Sequence, residues 1–235
     1  MRPALVLLLL CAACGPNVTI TGDGSSTTLV RPVPGTKAVR LEVPAKLTLV
    51  VGEPASLKLT GEANLFPYID NTVTSGELSI GVVPGATLAP TRAMEFVLTA
   101  PSFRGLTAAS PGDIIAPALT TTDLLIKVES RGNIHLARLD ANTLDTRLSS
   151  SGEVRIDEGK VGEQTIALRS TGDYVATGLE SASTTVNVSS GGSAWVWATG
   201  RLTVTISGTG DVHYVGTPQL ITHITGTGTV TPVPQ

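Results

Sequence analysis

A chain of 235 residues is long enough for one large or two small domains. With 41% hydrophobic and only 15% charged residues it is too apolar for disorder, and a formal net charge of -3 offers no basic footprint for nucleic acid. Gly 25 and Pro 15 punctuate a chain rich in Thr, Val and Ser with 3% aromatics, a composition that points to an all-β protein.

Met1-Arg2-Pro3 is a short basic start, Ala4 to Leu10 is an apolar run too short to span a bilayer as a permanent helix, and Cys11-Ala12-Ala13-Cys14 follows. This arrangement is similar to a bacterial lipoprotein processing site. Residues 1–14 are then the signal peptide, and Cys14 becomes the diacylated N-terminal residue that anchors the chain to a membrane. Cys11 stands where Leu is usual, and a plain secretory signal cut nearby is the alternative. Gly15 after the Cys resembles the outer-membrane sorting default, so the expected location is the bacterial cell envelope. Both cysteines fall in this segment, which leaves the mature chain no intramolecular disulfide and no thiolate metal site.

Residues 15–37 are Gly, Ser, Thr and Pro and read as a tether. Residues 38–105 read as short strands at Ala38 to Val43, Lys46 to Val51, Ser56 to Thr60, Thr72 to Thr74, Glu77 to Val82 and Met94 to Thr99. Pro44, Gly52-Glu53-Pro54, Gly61, Ser75-Gly76 and Pro84-Gly85 break them, and Asn64-Leu65-Phe66-Pro67-Tyr68-Ile69 reads as a packed corner.

Over residues 106–235 the chain repeats. Gly112, Gly132, Gly152, Gly172, Gly192, Gly210 and Gly228 mark a period of 20 and then 18. Four positions before each Gly stand Ala108, Val128, Leu148, Leu168, Val188, Ile206 and Ile224. Two after it stand Ile114, Ile134, Val154, Tyr174, Ala194, Val212 and Val230, and two further on Ala116, Leu136, Ile156, Ala176, Val196, Tyr214 and Pro232. These apolar columns alternate with polar ones at period two, so they face an interior. The fold expected is a single-stranded parallel β-helix, a β-solenoid with coils of about 18–20 residues, on which residues 38–105 pack as a cap. The turn glycines are expected at positive φ. The column Ser110, Ser130, Ser150, Ser170 and Ser190 is expected to bond neighbouring coils through its hydroxyls.

The S-x-G-D-type repeats, the Asn64–Ile69 corner followed by Gly76-Glu77-Leu78-Ser79-Ile80, and the closing run Ile206 to Pro218 resemble the family described as "putative auto-transporter adhesin, head GIN domain". The resemblance covers roughly residues 38 to 230. It implies the solenoid fold and an adhesion role, and it brings no catalytic motif. Gly192-Ser193 and Thr229 depart from its acidic column.

That column, directly after each Gly, is Asp113, Asn133, Glu153, Asp173, Ser193, Asp211 and Thr229. Stacked carboxylates about 4.8 Å apart repel unless something offsets them. Asp and Asn bonding the local turn backbone is the expectation, with weak Ca²⁺ binding as the alternative. A β-helix polysaccharide enzyme would need a clustered acid pair, or Asp with Arg or Lys, in a cleft. Glu153, Arg155, Asp157, Glu158, Lys160 and Glu163 are dense, but Gly159 and Gly162 mark that run as a solvated loop, so no catalytic residue, metal or cofactor is assigned. His135 and His213 share an outward column with three coils between them, too far apart to share a metal, and His223 has no partner. Trp195 and Trp197 alternate with inward Ala194 and Val196, so both indoles point outward, beside Val175 on one coil and His213 and Val215 on the next. These five residues are the candidate contact surface for an envelope glycan or a surface protein, unless a loop or a second copy of the chain covers them. The function expected is a non-catalytic envelope lipoprotein that binds, adheres or serves as a scaffold.

Overall fold

A computed structural model describes residues 17–234. The signal peptide and Cys14 lie outside them. The chain opens with β1 (Val18–Thr21), β2 (Thr27–Pro32), β3 (Ala38–Leu41), β4 (Ala45–Val51) and β5 (Ser56–Gly61). A 3-10 turn (Ala63–Tyr68) then leads into β6 (Ile69–Thr74), β7 (Glu77–Val82), β8 (Ala86–Ala89) and β9 (Met94–Ala100). That turn is the packed corner: Leu65 and Phe66 are buried.

A β-solenoid of about 6 turns follows. Its strands are β10 (Gly105–Ala108), β11 (Asp113–Ala116), β12 (Leu119–Val128), β13 (Ile134–Leu148), β14 (Val154–Leu168), β15 (Tyr174–Val188), β16 (Ala194–Ile206), β17 (Val212–Val215), β18 (Gln219–Ile224) and β19 (Val230–Pro232). Successive coils pair in parallel at the spacing of the repeat: Ile114 opposes Ile134, Ile134 opposes Val154, and Ala194 opposes Val212. The three apolar columns are buried from Ala108 to Ile206, Ile114 to Val212 and Ala116 to Val196. Their last members, where no coil follows, come to the surface, as at Ile224, which is 43% exposed, and Tyr214, opposite Pro232, is partly exposed.

The N-terminal segment continues the same stack. β3 and β4 pair in parallel with β10 and β11, and β7 and β9 pair in parallel with β3 and β4. Antiparallel pairings of β5 with β9, β2 with β5 and β6 with β7 then close this end of the sheet.

The tether reading of residues 15–37 does not hold for the described residues among them, because β1 pairs with β8 and β2 with β5. Two charged side chains dock this segment. The Arg31 guanidinium donates to the Phe66 and Ile69 carbonyls and to Asn71. The Glu62 carboxylate, 1% exposed, accepts from the Thr91 hydroxyl at 2.6 Å and from the N–H groups of Gly24 at 2.6 Å and Thr91 at 2.8 Å. These bonds, the Thr91 hydroxyl foremost, hold its pKa down at about 2.

The turn glycines also act differently from expectation. None of the seven lies at positive φ; the positive-φ glycines are Gly24, Gly35, Gly76, Gly85, Gly159 and Gly216. What demands glycine is the coil below. A Cβ on Gly132, Gly152, Gly172 or Gly192 would stand 2.1 to 2.3 Å from the carbonyl oxygen of the preceding turn glycine. Gly112 meets the Ala45 carbonyl at 2.4 Å, Gly210 the Gly192 carbonyl at 1.9 Å and Gly228 the Gly210 carbonyl at 2.0 Å.

With the coils this close, backbone groups do most of the bonding assigned to serine. Ser110 Oγ does donate across coils, to the Val43 carbonyl at 2.6 Å. At Ser170 and Ser190 it is the carbonyl that accepts, from Gly192 and Gly210 N–H. The hydroxyls that cross coils elsewhere at this corner are one residue earlier, on Ser149 and Ser189. The run from Glu153 to Glu163 is not a solvated loop either, since most of it lies inside β14. Arg155 pairs there with Asp157 at 2.7 Å, and Lys160 with Glu180 at 3.1 Å.

One interior patch is polar. Tyr174 is fully buried and donates to Gln164 Oε1 at 2.8 Å, and Gln164 Nε2 donates to Ser181 Oγ at 3.0 Å and Thr184 Oγ1 at 3.1 Å. Burial pushes the Tyr174 phenol well above its ordinary pKa.

Candidate binding surface

The outward column that begins at Ile115 in β11 runs through His135, Arg155, Val175, Trp195, His213 and Thr231, each opposite the next in adjacent coils. His135 and His213 therefore do share a column, with Arg155, Val175 and Trp195 between them. His135 Nε2 bonds Asp157 Oδ2 at 2.7 Å instead. Trp195 and His213 stack, with ring centroids 5.0 Å apart and planes inclined by 21°. Val175 adjoins the indole on the preceding coil, so the sheet supports an apolar and aromatic strip across three coils.

On the preceding coil Trp197 does not have the neighbour expected for it. Between β15 and β16 the register shifts, so that Ala176 still opposes Val196 but Trp197 opposes Glu180. This shift is where the coil shortens from 20 to 18 residues. On its other side Trp197 opposes Val215. Its ring lies along Gly216, where a Cβ would stand 3.3 Å from the indole Cδ1. Both indoles are half-buried against the sheet rather than fully projecting. Val215 is 3% exposed, so it is a buried residue opposite Trp197 and not the contact residue its column suggests.

The acidic column is a hydrogen-bond ladder between coils. Asp113 Oδ1 accepts from Asn133 N–H at 3.1 Å, Asn133 Oδ1 from Glu153 N–H at 2.9 Å, and Asp173 Oδ1 from Ser193 N–H at 2.8 Å. Ser193 Oγ accepts from Asp211 N–H at 3.2 Å, and Asp211 Oδ1 from Thr229 N–H and Oγ1, both at 2.7 Å. Asp113, Asn133, Asp173, Ser193 and Asp211 thus bond the backbone of the next coil, not their own turn. The Thr229 bonds lower the pKa of Asp211. Among the described residues, no group of three or more His, Cys, Asp or Glu stands close enough to hold a metal ion.

A family model described as "Putative auto-transporter adhesin, head GIN domain" matches residues 37–218. The chain belongs to this family. The head GIN match begins at Lys37, after β1 and β2, and ends at Pro218, so it takes in the whole aromatic strip as far as His213. No functionally curated protein is detectably similar in sequence. Three solved structures share the fold of this head GIN chain. A "putative adhesin" from Bacteroides fragilis is 20% identical with a TM-score of 0.84, covering 91% of this chain and 100% of its own. A "putative adhesin" from Parabacteroides merdae is 20% identical with a TM-score of 0.74, covering 92% and 99%. A "putative lipid binding protein" from Parabacteroides distasonis is 22% identical with a TM-score of 0.73, covering 92% and 100%.

Proposed function

We propose that this head GIN protein is a non-catalytic binding module of the bacterial cell envelope, held to the outer membrane by a lipid on Cys14. It meets an envelope glycan or a surface protein through Trp195, Trp197, His213 and Val175. The observation that carries the reading is the Trp195–His213 stack at 5.0 Å, held half-buried on a rigid sheet. Flat aromatic faces fixed in this way suit the apolar face of a sugar ring or an apolar side chain, and little side-chain entropy is lost on contact. The adhesin description of the family supports the same class of role.

A glycan and cell-envelope binding screen on the chain from Asn17 onward, run beside the W195A/W197A double variant, tests the site. Loss of two aromatic anchors should weaken binding by about thirtyfold or more. A folded double variant that binds as well as the wild type would remove the aromatic strip from the reading. Incorporation of labelled fatty acid, abolished by Cys14→Ser, tests the anchor.

A further inference from the structure

A second surface lies elsewhere on the coil, away from the indoles. At the junction of the N-terminal segment and the first solenoid coils, a groove of about 380 Å³ is lined by Lys37, Arg104 and Lys127 around a floor that includes Ala38 and Gly105. The floor is low for a reason readable in the register. One outward column runs Glu77, Ala38, Gly105, Leu125, and its two middle members present almost no side chain. A Cβ on Gly105 would stand 3.0 Å from that of Ala38. Lys37 and Arg104 rise along one rim in adjacent coils, tied by the Arg104 N–H to the Lys37 carbonyl at 2.7 Å. Along the other rim a second column runs Arg40, Thr107, Lys127, Arg147. Lys127 also lines a smaller recess of about 180 Å³, whose walls carry Arg147 and Arg169.

The charge on this face is out of character for a chain of net charge -3. Its two recesses are lined by five cations and two carboxylates, Glu77 and Glu129. Glu129 is already paired with Arg40 at 2.8 Å, and Arg147 with Asp145 at 2.5 Å. Among the described residues, Lys37, Arg104, Lys127 and Arg169 make no ion pair with any carboxylate. Like charges stacked at the coil spacing of about 4.8 Å repel until an anion lies between them.

We infer that this groove binds a linear acidic polysaccharide, its carboxylates seated on Arg104, Lys127 and Lys37 and its chain running along the coil stack. The cations recur coil after coil, which matches a polymer with a charge on every sugar better than a single anion. The lining holds no aromatic ring on which a nucleobase could stack. It holds no exposed large apolar side chain that could anchor a peptide or enter a bilayer. The guanidinium of Arg104 can take a carboxylate with two parallel hydrogen bonds, and Lys127 supplies a point charge beside it.

The test is a titration of the purified protein with polygalacturonate, with neutral dextran of similar length, with phosphatidylglycerol vesicles and with inorganic phosphate, at low and at high salt. Wild type should bind polygalacturonate and not dextran, and binding should weaken as salt rises. Arg104→Gln with Lys127→Gln should weaken it by about tenfold or more, while Lys58→Gln, on β5 away from the groove, should leave it unchanged. Thermal unfolding confirms that each variant is folded. The inference is overturned if the folded wild type ignores polygalacturonate, if the double Gln variant binds it as well as the wild type, or if W195A/W197A abolishes it. It is equally overturned if inorganic phosphate or the vesicles bind in preference to the polymer, because the groove is then a small-anion or membrane site.

Discussion

The neighbouring glycines Gly191 and Gly192 allow a direct test of why the repeat needs glycine. Neither has a positive φ, so conformational freedom does not distinguish them. Space does: a Cβ on Gly192 would stand 2.1 Å from the Gly172 carbonyl oxygen and 2.8 Å from that of Ser170, whereas on Gly191 the nearest atom is Thr209 Oγ1 at an ordinary 3.4 Å. Relieving the first clash must push neighbouring coils apart locally. That weakens the Gly192 N–H bond to the Ser170 carbonyl at 3.0 Å and the Ser193 N–H bond to Asp173 at 2.8 Å. Two hydrogen bonds at about 1 kcal/mol each, with about 1–3 kcal/mol for crowding, give a loss of about 3–5 kcal/mol for Gly192→Ala. Gly191→Ala should stay within about 0.5 kcal/mol of wild type. Followed by far-ultraviolet circular dichroism, the first variant should melt about 10 °C lower and the second at nearly the wild-type temperature. Melting temperatures that coincide for the two variants would refute the close-approach account.

Glu62 makes stability depend on acid. Its folded pKa near 2 lies below the ordinary 4.5, so its contribution is present above about 4.5 and is lost as pH falls toward 2. Melting temperature should drop across that window in the wild type, and E62Q should start lower and vary less. Tyr174→Phe leaves Gln164 Oε1 without its donor in a dry interior, and denaturant unfolding should show a loss of about 1–3 kcal/mol. Asp211→Ala removes the acceptor of both Thr229 bonds, so hydrogen exchange at the Thr229 amide should quicken while that at the Asn133 amide stays unchanged.

The columns from Ala108 to Val212 were legible because stacking puts like residues above one another, and period two then separates inside from outside without any knowledge of contacts. The role of the turn glycines was not legible. A glycine at a turn serves positive φ or close approach equally well in a sequence, and only the carbonyl of the preceding coil decides between them. β2 was hidden because five of its six residues are exposed and show no alternation. Its partner β5 lies about 30 residues away, and the anchors that dock it, Arg31 on Phe66 and Glu62 on Gly24, are equally remote in sequence. The neighbours of Trp195 followed from the repeat, as did Val215 opposite Trp197, but the neighbour of Trp197 on the preceding coil did not. Counting from the turn glycine places Trp197 beside Thr177, while the four-residue step from Ala176 to Glu180 in β15 is matched by one step in β16.

The two ends of the solenoid are unequal, and this bears on where a partner would be met. Antiparallel strands close the N-terminal end, whereas β18 is exposed along its whole length, with Leu220 and Ile224 carrying on interior columns that no further coil covers. Such an end frays first, so a contact surface built on the last coil would be poorly fixed. The aromatic strip lies inboard of it: Trp195 and Trp197 are on β16, which is itself covered by β17 and β18 and is continuous with the fully buried columns below. β2 lies at the opposite end, paired through β5 with β9. From Val97 on β9 through Thr48, Ile115, His135, Arg155 and Val175, Trp195 is six coil steps away, about 30 Å at about 4.8 Å each. Under the proposed N-terminal anchor, a rod stiffened by parallel pairing at every coil would stand between the N-terminal strands and the indoles. The aliphatic interior supplies this stiffness without constraining which residues the outward columns carry.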